Sequence, residues 1–141
     1  MDNEKYQKLH SYPKVVNRKK IDCAPQGDQK VIKGHAVFNP SEEFTVIQAR
    51  KGHARKNDLS YVLMHKTGIM LRIDLIGATH HGTPTPHVHI FDDDHNEGLD
   101  VVPLADIANY DSTFEIVTSL ATFLRYNNFD LAGLTMSLST V

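Results

Sequence analysis

A chain of 141 residues, 40% hydrophobic and 23% charged, has the make-up of one globular domain able to bury a core without staples. Cys23 is its single cysteine, which excludes an internal disulfide framework, and no apolar run approaches the ~20 residues of a membrane span. The net charge of −2 is unevenly placed: residues 1–66 hold 13 of the 15 Lys and Arg against 7 acids, whereas residues 67–141 hold Arg72 and Arg125 against 10.

The first ten residues lack the apolar core of a secretory signal, so a cytoplasmic location and no membrane partner are expected. Residues 1–30, broken by Pro13, Pro25 and Gly27, read as a loosely ordered basic lead-in to a single domain spanning 1–141. Two basic segments, 12–20 with Arg18, Lys19 and Lys20, and 49–56 with Arg50, Lys51, Arg55 and Lys56, are candidates for contact with a phosphate backbone. Neither has interleaved aromatic residues, so the plainer reading is a solvated tail and a solvated hairpin turn.

Antiparallel strands are expected through 31–92. The runs 31–38, 43–50, 59–66 and 69–76 carry strand-type alternation, and Lys66-Thr67-Gly68 suits a tight hairpin between the last two. In 69–76, Ile69, Leu71, Ile73 and Leu75 share one face, and Met70, Arg72, Asp74 and Ile76 the other. Residues 87–91 form a fifth strand, with His87, His89 and Phe91 on one face, and 99–104 suits at most a short edge strand because of Pro103. Ser112 and Glu115 have capping-box spacing, and Ile116, Val117, Leu120, Phe123 and Leu124 follow as an apolar stripe, predicting a helix over 112–126. The expected fold is α+β: a mostly antiparallel sheet of about five strands with one long C-terminal helix packed on one face.

The chemistry concentrates in residues 79–95, Thr-His-His-Gly-Thr-Pro-Thr-Pro-His-Val-His-Ile-Phe-Asp-Asp-Asp-His, which hold five of the nine histidines. Imidazole titrates near neutrality and serves as general acid, general base or metal ligand. His87 and His89, one residue apart on a strand, leave the same face, and the Gly/Pro loop before them can return His80 or His81. If the strand 69–76 pairs with 87–91 in the right register, Arg72 and Asp74 join them; a slip of one residue puts both on the far side. Two chemistries remain open. His80, His87 and His89 act as an acid–base set on a phosphodiester, with Arg72 on the phosphate and Asp74 orienting an imidazole. Alternatively His87, His89 and a carboxylate, Asp74 or Asp94, hold a divalent metal. The bland reading is a polar strand whose histidines bond nearby backbone. The acidic run 92–98 lacks calcium-loop spacing and reads as a solvated turn.

The segment Gly82–Asp94 resembles the first metal motif of the cupins, but no histidine follows residue 95 to supply their second. A fuller likeness is carried by Arg72, Asp74, Gly77 and His80, then Pro86, His87, His89 and Phe91. This run resembles the R-x-D-x-x-G-x-x-H and P-H-x-H pattern of a family of small, uncharacterised bacterial and phage-borne proteins. The likeness covers residues 30–128, with motifs in 72–91 only, and departs from the pattern in a shorter loop before Pro86 and in the acidic run after Phe91. A more distant similarity is to TumE-type toxins of toxin–antitoxin pairs. Taken with the histidines and the basic half, these resemblances imply a toxin-like or phage-associated nuclease acting on RNA. The alternatives are a non-catalytic mobile-element protein that binds a host defence factor, with an antitoxin or host factor as partner, and a small metal-binding enzyme.

Overall fold

The computed structural model describes residues 1–51, 58–77 and 82–138. In chain order it contains α1 (Asn3–Ser11), β1 (Lys14–Val16), β2 (Lys20–Asp22), β3 (Gln29–Ala36), β4 (Asn39–Ala49), β5 (Leu59–His65), β6 (Gly68–Ile76), β7 (His87–Ile90), β8 (Val102–Pro103), α2 (Ile116–Tyr126) and β9 (Thr135–Ser137). Seven strands form one antiparallel sheet in the order β1-β3-β4-β5-β6-β7-β8, and β2 pairs in parallel with β9 in a second, two-stranded sheet. None of the described helices is long and apolar enough to cross a membrane.

Two features correct the sequence-based expectation of about five strands and one long C-terminal helix. β1, β2 and β9 are three residues each, too short to show alternation, and with the two-residue β8 they raise the strand count among the described residues to nine. The helix is 11 residues, about 16 Å at the α-helical rise, and begins only at Ile116. Asp111 Oδ1 takes the Thr113 N–H and hydroxyl, which holds the preceding chain in a turn. Glu115 then becomes the N-cap itself, its carboxylate accepting from the Thr118 N–H at 2.7 Å, so the capping box at Ser112 does not form.

Residues 1–30 are likewise no loose lead-in, since α1, β1 and β2 lie within them. The reason is Lys14, a residue that charge counting assigns to solvent. It is fully buried, and its ammonium donates to the carbonyls of His10, Tyr12 and Asn127 at 2.9, 2.9 and 2.8 Å. His10 closes α1 and Asn127 caps α2, so the two negative helix ends converge on one cation. The rings of Phe44 and Phe129 flank it at 4.8 and 5.9 Å. All three ammonium donors are satisfied, which is what allows the charge to be buried.

The core lies on one face of the large sheet. Register aligns Val46, Leu63, Leu71 and Ile90 in one row and Gln48, Tyr61, Ile73 and Val88 in the next. α2 covers this face with Leu120, Phe123 and Leu124, and Phe123 stacks on Tyr61 at 4.8 Å. The opposite face carries the rows Ile47, Val62, Arg72, His89 and Ala49, Ser60, Asp74, His87. Two register slips on β6 insert Met70 and Leu75 as extra residues; both are buried, which is why Met70 does not share the setting of Arg72.

Candidate metal centre

β6 and β7 pair antiparallel with Arg72 opposite His89 and Asp74 opposite His87, so the four side chains leave one face together. Asp74 is their hub. Its Oδ1 accepts from Arg72 Nε at 2.7 Å, and its Oδ2 lies 2.9 Å from His87 Nε2 and 3.1 Å from His89 Nε2. The two imidazoles stand edge to face with centroids 5.0 Å apart. His87 is fully buried, the His89 side chain is 11% exposed and that of Asp74 6%, whereas the Arg72 side chain is 46% exposed at the rim.

The far side of each ring is held by main chain. His87 Nδ1 faces the Thr83 carbonyl at 3.1 Å and His89 Nδ1 faces the Gly98 carbonyl at 3.0 Å. A carbonyl only accepts, so each Nδ1 carries a proton, and a neutral ring then presents a lone pair at Nε2. Two such lone pairs aimed at one carboxylate oxygen require positive charge among them. Donor atoms of Asp74, His87 and His89 lie within 4.8 Å of one another, an arrangement that can form a metal-binding site.

The same geometry sets the electrostatics. Burial would raise the Asp74 carboxyl, but hydrogen bonds from His89 and Arg72, the Arg72 charge and His87 outweigh it and hold that group well below the carboxylate range. His89 moves up, chiefly through its bond to Asp74, against its own burial.

The acidic run is a turn with Asp93, Asp94, Asn96 and Glu97 exposed, and it also has an anchored end. Residues Asp93–Gly98 form a 3₁₀ turn in which Asn96 and Glu97 adopt positive φ. Gly98, at φ +87°, packs so tightly that a Cβ there would meet the Phe91 ring at 2.7 Å. This close approach delivers the Gly98 carbonyl to His89. Asp92 is buried and accepts from the His95 backbone N–H, with His95 Nδ1 at 2.7 Å, so His95 belongs to this turn rather than to the cluster. Asp94 is exposed and its backbone N–H binds Asn3 Oδ1, which leaves Asp74 as the carboxylate of the group.

The other sequence candidates scatter. Arg18, Lys19 and Lys20 are exposed on the turn into β2 and on its first residue, and Lys51 is exposed beyond β4. Arg50 is committed to the fold, donating to the Ala24 carbonyl at 2.8 Å. His80, Arg55 and Lys56 lie outside the described residues. Thr83 and Gly98, which sequence reasoning missed, act through backbone carbonyls that their side-chain identities do not announce; only the glycine ending an Asn-Glu-Gly turn carried a signal. No family model matches the chain, and no curated protein or solved structure matches it either.

Proposed function

We propose that Asp74, His87 and His89 hold a divalent cation and that the chain is a small metal-dependent hydrolase of phosphodiesters, with RNA the substrate toward which its basic half points. The observation that carries this reading is the tethering of both Nδ1 atoms to backbone carbonyls while both Nε2 atoms converge on one carboxylate oxygen. Backbone acceptors on the distal ring nitrogen are the usual support of metal-ligating histidines, and a two-histidine, one-carboxylate set leaves coordination positions open. The cation, when bound, supplies Lewis-acid polarisation of a phosphoryl oxygen or of the attacking water.

The chain's own residues divide the remaining work. Arg72 has Nε committed to Asp74 and a half-exposed guanidinium, so its terminal N–H groups are the part offered to an anionic oxygen. His87 is fully buried, which argues against a proton carrier that must touch substrate, and both rings lean on one oxygen rather than flanking a gap the size of a phosphate. The deciding experiment is elemental analysis and calorimetric titration with Zn²⁺ and Mn²⁺ on protein purified without a histidine tag, followed by an RNA-cleavage assay. Stoichiometric uptake that disappears in Asp74→Asn and His89→Ala is expected. Uptake that is absent, or that survives both substitutions, removes the metal centre, and uptake without cleavage removes RNA as substrate.

A further inference from the structure

A cleft lies at the other end of the sheet. β1 covers only Gly34–Ala36 of β3, the Asn17 N–H caps the Lys33 carbonyl at 2.9 Å, and the chain then leaves to pair β2 with β9. The edge of β3 from Gln29 to Ile32 therefore lacks a strand neighbour on that side among the described residues. Because alternate residues turn their N–H and C=O to the same edge, Val31 directs its pair the same way as Lys33. Between this edge and β2 opens a cavity of about 430 Å³, within the range of small-molecule sites.

Its lining is of two kinds. Val16, Ile21, Val31 and Ile32 supply apolar walls, with Ile21 and Ile32 rooted in the core. Arg18, Lys20 and Lys30 supply three cations against the single carboxylate of Asp22, while Lys33 turns its ammonium to Thr45 Oγ1 on β4 at 3.3 Å. Among the described residues none of these three cations forms an ion pair. Three cations lining one cleft repel one another, and an anion entering there gains from them. Apolar walls add area for an organic group. Three strand spacings separate β3 from β6 and four separate it from β7, about 14 and 19 Å, so this cleft is distinct from the Asp74 cluster.

We infer that the cleft between β2 and the open edge of β3 binds an organic phosphate carrying at least two negative charges, its phosphate on Arg18, Lys20 and Lys30 and its organic part against Val31 and Ile21. A free nucleotide and a nucleotide unit of an RNA strand share this chemistry. Calorimetry with ADP, inorganic pyrophosphate and a short oligouridylate tests it on the full chain. Saturable binding of ADP assigns a free nucleotide, and binding of the oligouridylate alone assigns a strand; either supports the site. Arg18→Gln with Lys20→Gln, both exposed in the wild type, should weaken that binding by about tenfold or more. Lys5→Gln with Lys8→Gln on α1 should leave it unchanged, and Asp74→Asn should leave ADP binding unchanged, which separates this site from the metal centre. Absence of binding by all three probes, or equal weakening by the α1 pair, overturns the inference.

Discussion

Asp74 and His87 face each other directly across β6 and β7, with His87 Nε2 2.9 Å from Asp74 Oδ2 and neither side chain appreciably exposed. An aspartate so placed collects two imidazoles and a guanidinium, and its negative charge is what keeps the cluster together. Asp74→Asn preserves shape but puts an amide where the anion stood. It should lower divalent-metal affinity by at least about 100-fold, read by competition with a chelating dye. In the absence of metal it should also destabilise the fold by about 2–4 kcal/mol in urea, because Arg72 and the two rings lose their common acceptor.

Gly98 governs the same centre from a distance. Its φ of +87° and the 2.7 Å approach of the Phe91 ring leave no place for a side chain. Gly98→Ala should destabilise by about 1–3 kcal/mol through strain and displaced packing. It should also loosen His89 by moving the carbonyl that holds Nδ1, weakening metal uptake by about tenfold. Trimming Phe91 as well, in a Phe91→Leu background, should restore part of the stability but not the metal affinity, because the backbone conformation is still disfavoured.

The metal candidates were legible in the sequence because strand alternation is a strong rule: His-x-His and Arg-x-Asp each place two side chains on one face. Register was not legible, and it decides everything here, since one residue of slip would have hidden Asp74 from His87. The long central strands were also readable from their alternation, whereas β1, β2 and β9 were not, because three residues define no period. The basic lead-in failed for a different reason. Composition treats every lysine as solvated, and Lys14 is buried by carbonyls contributed from Asn127, far along the chain. The acidic run was legible as a solvated turn, but its part in the cluster was not, since that rests on the carbonyl of Gly98, a group every residue has.

Acid should loosen the contact between the helix ends. His10 is driven down by burial and by the neighbouring Lys14 charge, against the help of Asn127, and His65 is driven down by burial against Glu42. A histidine whose native pKa lies below its unfolded value binds its proton more readily when unfolded. Stability from this source is present above the ordinary 6.5 and is lost as pH falls toward the native values. These two histidines should pull urea midpoints down between about pH 7 and pH 5, against the opposite contribution of His89, whose bond to Asp74 holds it up. His10→Gln, which cannot titrate, should show a shallower drop over the same interval; an identical profile would contradict this assignment.

Lys14 should act in the opposite range. Burial pushes its ammonium down to about 7 from an ordinary value of 10.5, so between those limits the unfolded chain binds more protons than the native one. Raising the pH through that window then favours the folded state, and below about 7 the contribution is fully lost. Stability from this source should rise as the pH is taken from about 7 upward, against the opposite contributions of His89 and Cys23, both held up by their surroundings. Lys14→Met keeps the stem between Phe44 and Phe129 but abandons the carbonyls of His10, Tyr12 and Asn127. That substitution should cost about 2–4 kcal/mol at neutral pH, since three buried acceptors lose their donor at once. It should also abolish the alkaline rise. If the variant keeps the rise, some other group carries the titration; if it loses stability and rise together, the buried ammonium is the joint between α1 and α2.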